Sequence, residues 1–261
     1  MSYNITDKTQ TRFKTMKYKY DTHIHSLEAS ACGKNGIREM VQAYHKAGYT
    51  GFIVTDHFIH GNTAIPRELP WKNRMQMYYN VYLQANEEGD KLDFDVFFGI
   101  EHYYEKAREI LVYGINLDFL LSHPELETAD IDTFARTVHE AGGILIHAHP
   151  YRQRSYIPAD FQARIDLCDG IEVYNAHDTW EYNKLALADA LALKKFPFSG
   201  GDMHRIDDPT IGNAGIVLNK RVNSMSEFIK SIQASDYIVL IDGKEYSSIE
   251  LQKLSSLNLS P

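Results

Sequence analysis

Apolar residues recur along the chain with two alternating periods. In GIREMVQAYHKAGY, Ile37, Met40, Val41 and Tyr44 fall at i, i+3, i+4 and i+7, the spacing of one helical face, and Gly48 follows as a stop. The next residues, GFIVTDH, form a short apolar run of the kind a buried parallel strand needs. Together they predict one helix-to-strand step. Helical spacing returns in WKNRMQMYYNVYLQANEEG, in DIDTFARTVHEAGG with a stripe of Ile131, Phe134, Ala135 and Val138, and in TWEYNKLALADALALKK. Strand-like runs lie between and after these: FDVFFGIE, EILVYGI, GILIHAHP, GIEVYN, FPFSGGD, AGIVLN and DYIVLID. Strands alternating with helices predict βαβ units and a parallel sheet. No internal repeat, low-complexity tract or Pro/Gly-rich linker divides the chain. A single domain over residues 1–261 is expected, with 1–17 and 245–261 loosely ordered; the tail SSIELQKLSSLNLSP reads as a short final helix or a frayed end.

Composition narrows this picture. At 261 residues the chain fits one α/β barrel, a fold that commonly runs to about 250 residues. Its 44% hydrophobic and 24% charged residues are those of an ordinary globular protein, which excludes a disordered chain. No apolar run approaches the roughly 20 residues of a bilayer span, so no membrane partner is expected. The start lacks the apolar stretch of a signal peptide, which predicts a cytoplasmic location. A net charge of −8 argues against nucleic acid as a partner, because that surface needs clustered Lys and Arg. The two cysteines, Cys32 and Cys168, are too few for a disulfide framework and read as incidental thiols away from any ligand position.

Residues able to bind metal gather at the C-terminal ends of the strand candidates. His23 and His25 end the first, Asp56 and His57 follow the second, Glu101 ends the third, His147 and His149 the fifth, and Asp202 with His204 follow FPFSGG. Residues i and i+2 of a strand share a face, so His23 and His25 project side by side. Strand C-termini are where barrels and open α/β sheets build their active sites. Five strand ends offering His, Asp or Glu are hard to obtain from packing, since such groups are costly to bury without a partner. His45, His102, His123 and His139 follow no such pattern and read as surface or otherwise satisfied histidines. Imidazole with carboxylate and no thiolate suits Zn, Mn, Fe or Co, and the ligand count exceeds one tetrahedral site. More than one ion is implied, with a carboxylate such as Glu101 bridging two ions about 3.5–4 Å apart.

The ordered set DTHIH, TDH, GIE, HAHP and GGDMH resembles the PHP family, named for its polymerase and histidinol phosphatase members. The resemblance implies a distorted (β/α)7 TIM-like barrel with two or three divalent transition-metal ions, Zn, Mn or Fe, hydrolysing phosphoesters. Carried over by residue, it makes His23, His25, His57, Glu101, His149, Asp202 and His204 the expected ligands. Asp21, Asp56 and His147 are secondary candidates that would orient the imidazoles. Many family members have another histidine shortly after the H-x-H; here SLEASACGK offers Glu28 or Lys34. Many also have a histidine entering the strand EILVYG, where Glu109 stands. Carboxylates replacing those imidazoles and a two-ion site are the alternatives.

The expected activity is hydrolysis of a small phosphomonoester by a metal-activated water, with Glu101 and Asp202 at the reacting centre. Histidinol phosphate and nucleotides are both compatible substrates; a nuclease and a catalytically silent metal-binding module are the rivals. Arg152 in HAHPYR and Arg205 in GGDMHR follow ligand motifs and are expected to clamp the substrate phosphate.

Overall fold

The computed structural model describes residues 17–105, 108–155, 157–158 and 162–256. The loose start expected at 1–17 lies outside these residues except for Lys17, and so does 257–261. The two clearest helical stripes form as their spacing dictates. Helix α1 (Ile37–Lys46) buries Ile37, Met40, Val41 and Tyr44, and α4 (Ile131–Glu140) buries Ile131, Phe134, Ala135 and Val138. Asp130 begins α4 by accepting the Thr133 backbone N–H at 2.8 Å, satisfying one of the donors that a helix start leaves open. Helices α2 (Trp71–Leu92) and α5 (Trp180–Ala192) also follow the pattern. Three more were not anticipated or were left open: α3 (Leu117–Ser122), α6 (Met225–Gln233) and α7 (Ser248–Ser256). Helix α7 occupies part of the tail expected to be loose, because Leu251 and Leu254 find a core to pack into.

The sheet departs from the expected parallel arrangement. Strands β1 (Tyr18–Ile24), β2 (Gly51–Val54) and β3 (Asp95–Tyr104) are mutually parallel. So are β5 (Ile144–His147), β6 (Gly170–Asn175) and β7 (Phe196–Gly200). Between these sets, β4 (Arg108–Tyr113) pairs antiparallel to both β3 and β5. Only residues 105–107 separate β3 from β4, and a parallel crossover needs a dozen or more. Strands β8 (Gly215–Leu218), β9 (Tyr237–Ile241) and β10 (Lys244–Tyr246) extend the sheet antiparallel beyond β1. The result is one mixed ten-stranded sheet of order β10-β9-β8-β1-β2-β3-β4-β5-β6-β7.

This sheet curls until β7 returns to β1. Thr22 Oγ1 donates to the Ser199 carbonyl at 2.9 Å, and His25 N–H donates to the Met203 carbonyl at 2.9 Å. The return needs glycine: a Cβ at Gly200 would stand 2.4 Å from Glu172 Oε1 and 2.5 Å from His23 Cβ. Inside the curl, residues of non-neighbouring strands meet, as in Tyr20 with Phe97 and Tyr113 with Phe198. On the outer face Phe52 packs against Tyr44 of α1. Both faces of β2 are therefore buried, which explains its unbroken apolar run. Among the described residues, no helix is long and apolar enough to cross a membrane.

Candidate metal centre

His23 on β1 and His25, one residue past its end, turn toward each other, with their Nε2 atoms 3.0 Å apart. Glu101, wholly buried on β3, faces both: Oε1 is 3.1 Å from His23 Nε2 and Oε2 is 3.6 Å from His25 Nε2. The same carboxylate meets His57, just past β2, with Nδ1 at 2.6 Å, and His149, just past β5, with Nε2 at 3.1 Å. Glu109, near the start of β4, stands 3.3 Å from His57 Nδ1 and 3.5 Å from His149 Nε2. Asp202 follows β7, with Oδ1 3.2 Å from His25 Nε2 and 3.5 Å from His23 Nε2. His204 stacks on His25 with ring centroids 4.4 Å apart.

Four overlapping donor sets result among the described residues: His23–His25–Glu101, His23–His149–Asp202, His57–Glu101–Glu109 and His25–His57–His204. Separations of about 3 Å are those of neighbouring ligands around one cation bonded at about 2.0–2.2 Å. His57 Nδ1 and Glu101 Oε2 are buried and face each other, yet neither has a hydrogen-bond partner. Orphaned buried polar atoms are costly. A cation between these donors would satisfy both, so the residues present fit a metal centre.

A surrounding layer of hydrogen bonds fixes the donors. Glu172, fully buried on β6, accepts from His23 Nδ1–H at 2.9 Å and from the His149 backbone N–H at 2.9 Å. It also accepts from Asn175 Nδ2 at 2.9 Å. Sequence reading missed Glu172 because GIEVYN looks like an apolar strand; a carboxylate inside such a run was the available signal. Asp56 accepts from Ser26 N–H at 2.7 Å and Ser30 Oγ at 2.6 Å, and Ser30 Oγ in turn stands 3.1 Å from His25 Nδ1. Asp21 accepts from Tyr44 OH, His23 N–H and Gly201 N–H, tying β1 to the end of β7. His149 and Asp202 both adopt left-handed backbone, φ 27° and 52°, and such strain in non-glycine residues persists only where the surroundings impose it.

Burial and neighbouring charges pull against each other at these groups. Burial opposes the charged form of His23, but Asp202, Glu172 and Glu101 outweigh it and hold its pKa well above the ordinary value. His57 is raised likewise, with Glu101 prevailing over burial. His25 is lowered by burial and then by His204 and His57. Burial would raise Glu101 and Asp202, yet His23 and His57 hold the first well below the usual carboxylate range, and His23 and Arg152 the second. Burial lifts Asp21 and Asp56 to about 6.

Several expectations need correction. Glu28 turns away from the cluster and accepts the Ile37 N–H at the start of α1. His147 points to the other face of β5, bonded to Tyr104 OH at 2.8 Å, and burial lowers it to about 3. Asp56 reaches the donor cluster only through Ser30, whose Oγ stands 3.1 Å from His25 Nδ1. Arg152 is no free phosphate clamp: its guanidinium binds Asp178 at 2.7 Å, Asn175 Oδ1 at 2.8 Å and Asp202 Oδ2 at 2.8 Å. Arg205 is exposed and paired with Asp207 at 2.5 Å. His45, His123 and His139 stay outside the cluster, and His102 stacks on Phe134 with centroids 3.7 Å apart. Interaction with His204 and His57 outweighs the burial that would raise the Cys32 thiol and brings it down to about 6.

Comparison with solved structures finds the same fold at low sequence identity. A two-domain protein from Bacteroides vulgatus ATCC 8482 containing a predicted PHP-like metal-dependent phosphoesterase superposes with TM-score 0.66 at 14% identity, over 93% of this chain and 70% of that one. PsfC from Pseudomonas syringae PB-5123 gives TM-score 0.60 at 16% identity, over 93% and 97% of the two chains. Endonuclease Q, in complex with a 27-mer duplex carrying an abasic lesion at the active site, gives 0.59 at 12% identity, over 84% of this chain and 57% of that one. The last corrects the inference from net charge: a protein of this fold acts on duplex DNA, so acidity does not exclude nucleic acid. Comparison with curated proteins gives no match. The PHP domain profile matches residues 21–237, from the aspartate before the first histidine pair into β9, and the chain belongs to the PHP domain family.

Proposed function

We propose that this protein hydrolyses a small phosphomonoester, using two or three Zn, Mn or Fe ions held by His23, His25, His57, Glu101, Glu109, His149, Asp202 and His204. The observation that carries the reading is Glu101, whose two buried oxygens meet four imidazoles. A carboxylate so placed suits a bridge between ions. Bound divalent ions supply the Lewis acidity that activates water and neutralises charge on the phosphoryl oxygens. The chain's part is to hold the donors in their binding form: Glu172 keeps the His23 proton on Nδ1, and Arg152 with Asn175 takes Asp202 Oδ2, leaving Oδ1 toward the histidines. We also read β1–β7 as a distorted (β/α)7 barrel with most of the ligands toward its strand C-terminal ends and Glu109 at the start of the antiparallel β4, on the strength of the β7-to-β1 return.

Cleavage of a nucleic-acid phosphodiester is the second reading, favoured by the fold shared with endonuclease Q. Chelator-stripped protein reloaded with each metal should be assayed on histidinol phosphate, nucleotides, phosphodiesters and an abasic-site duplex. Metal-dependent release of phosphate from monoesters is expected; cleavage of the duplex alone, or no hydrolysis under any loading, would overturn the proposal.

A further inference from the structure

We infer that Arg108 is the receptor for a small oxyanion, bound on the opposite face of β4 from the metal centre. Arg108 opens β4 and is only 6% exposed. Its Nη1 donates to the Arg152 carbonyl at 3.1 Å, and its backbone N–H to the Glu105 carbonyl at 3.2 Å. Nε is buried and has no hydrogen-bond partner. Among the described residues no carboxylate pairs with this guanidinium. Arg74, equally buried, meets Glu127, and Arg152 meets Asp178 and Asp202. A guanidinium stays charged in a protein and carries five N–H donors, and a buried charge is ordinarily paired. Arg108 lacks the anion that its two counterparts have.

The geometry says how that anion is held. Successive residues of a strand face opposite ways, so Glu109 turns toward His57 and His149 while Arg108 turns outward. On the outer side its cross-strand neighbour is Tyr104, itself bonded to His147 at 2.8 Å. The Arg152 carbonyl, on the loop after β5, takes Nη1 and fixes the guanidinium plane. Nε and Nη2 remain, and their parallel N–H groups form the edge that grips an oxyanion bidentately. Strand β4 stands between this edge and the donor cluster, so the anion is a second one, distinct from any phosphoryl group at the ions. The inference therefore holds or fails independently of the metal-centre reading.

The test is a sulfate titration of the zinc-replete full-length protein, read by nitrogen–proton NMR of the arginine Nε–H groups and by thermal melts of wild type, Arg108→Met and Arg108→Lys. In wild type one Nε–H signal, missing from the Arg108→Met and Arg108→Lys spectra, should shift and saturate with sulfate. Sulfate stabilises most folds by exclusion from their surfaces, so the melts are compared between variants. At sulfate about 100-fold above Kd, the wild-type Tm should rise by roughly 5–10 °C more than that of Arg108→Met. Arg108→Lys keeps the charge without the planar fork and should bind sulfate roughly 10-fold more weakly. Without sulfate, Arg108→Met should melt no lower than wild type, because it removes an unpaired buried cation. An Arg108 Nε–H signal that sulfate leaves unmoved would overturn the anion site, as would equal sulfate responses in wild type and Arg108→Met. The NMR titration of wild type decides the matter even where Arg108→Met fails to fold, with Arg108→Lys then assigning the signal.

Discussion

Replacing Glu172 by Gln tests how the protein holds one histidine in its metal-binding form. Glu172 uses Oε1 to accept from His23 Nδ1–H and Oε2 to accept from two donors, the His149 backbone N–H and Asn175 Nδ2, all at 2.9 Å. With its proton on Nδ1, His23 presents the Nε2 lone pair to Glu101, His25 and Asp202. Gln offers one acceptor oxygen where Glu offers two. If that oxygen serves His149 and Asn175, the amide NH2 faces His23 Nδ1, which must become an acceptor. The ring proton then moves to Nε2 and removes the lone pair that would bind metal. If the amide turns over, its NH2 meets two donors, leaving both without acceptors at about 1–3 kcal/mol each. Glu172 and His23 are fully buried, so water cannot repair either arrangement. Metal affinity should fall about 10- to 100-fold, roughly 1.4–2.7 kcal/mol. Competition against a chelator of known affinity measures the loss, and nitrogen NMR of His23 reads the tautomer. Unchanged affinity with the proton still on Nδ1 would refute the reasoning.

Three further outcomes are expected. Arg152→Ala should leave Asp178 and Asp202 buried without their cation, costing about 3–5 kcal/mol; at about 2–4 °C per kcal/mol, Tm should fall by roughly 6–20 °C in a thermal melt, and an unchanged Tm would show that the carboxylates have other partners. Glu101→Gln should reduce phosphoester turnover by roughly 10²-fold or more with circular dichroism unchanged, since a neutral amide is a poor bridge between cations; full activity would remove Glu101 from the site. Because His23 and His57 are raised above the unfolded value of about 6.5, their contribution to the metal-free fold is complete below that value and lost as pH rises through the raised ones. Metal binding needs both deprotonated, so the gap in Tm between metal-loaded and stripped protein should widen from about pH 6 to about pH 9; a constant gap would contradict the assignment.

Much of the centre was legible because a ligand motif is a local thing. DTHIH, TDH, HAHP and GGDMH each end or follow a strand, GIE lies three residues short of the end of β3, and the curled sheet needs only to bring those segments together. The stripes of α1 and α4 were equally plain, since each helix buries one face against the sheet. Strand direction was not legible from apolar runs, although the three residues between β3 and β4 were a usable clue. His147 misled because i and i+2 share a face only while the strand continues; β5 ends at His147, and His149 turns into left-handed backbone. Arg152 misled because proximity to a ligand motif does not say which anion the guanidinium meets, and here it meets Asp178 and Asp202. Cys32 and Glu172 were invisible for a related reason: their partners are distant in sequence and are brought to them by the loop after β1 and by the β6–β7 pairing.

The most direct test of the account is the metal content of the protein purified under metal-replete conditions, measured by elemental mass spectrometry against accurate protein concentration. The donor sets sharing Glu101 predict at least two transition-metal ions per chain, falling below two in Glu101→Gln. Less than one ion per chain in the wild-type protein would contradict it.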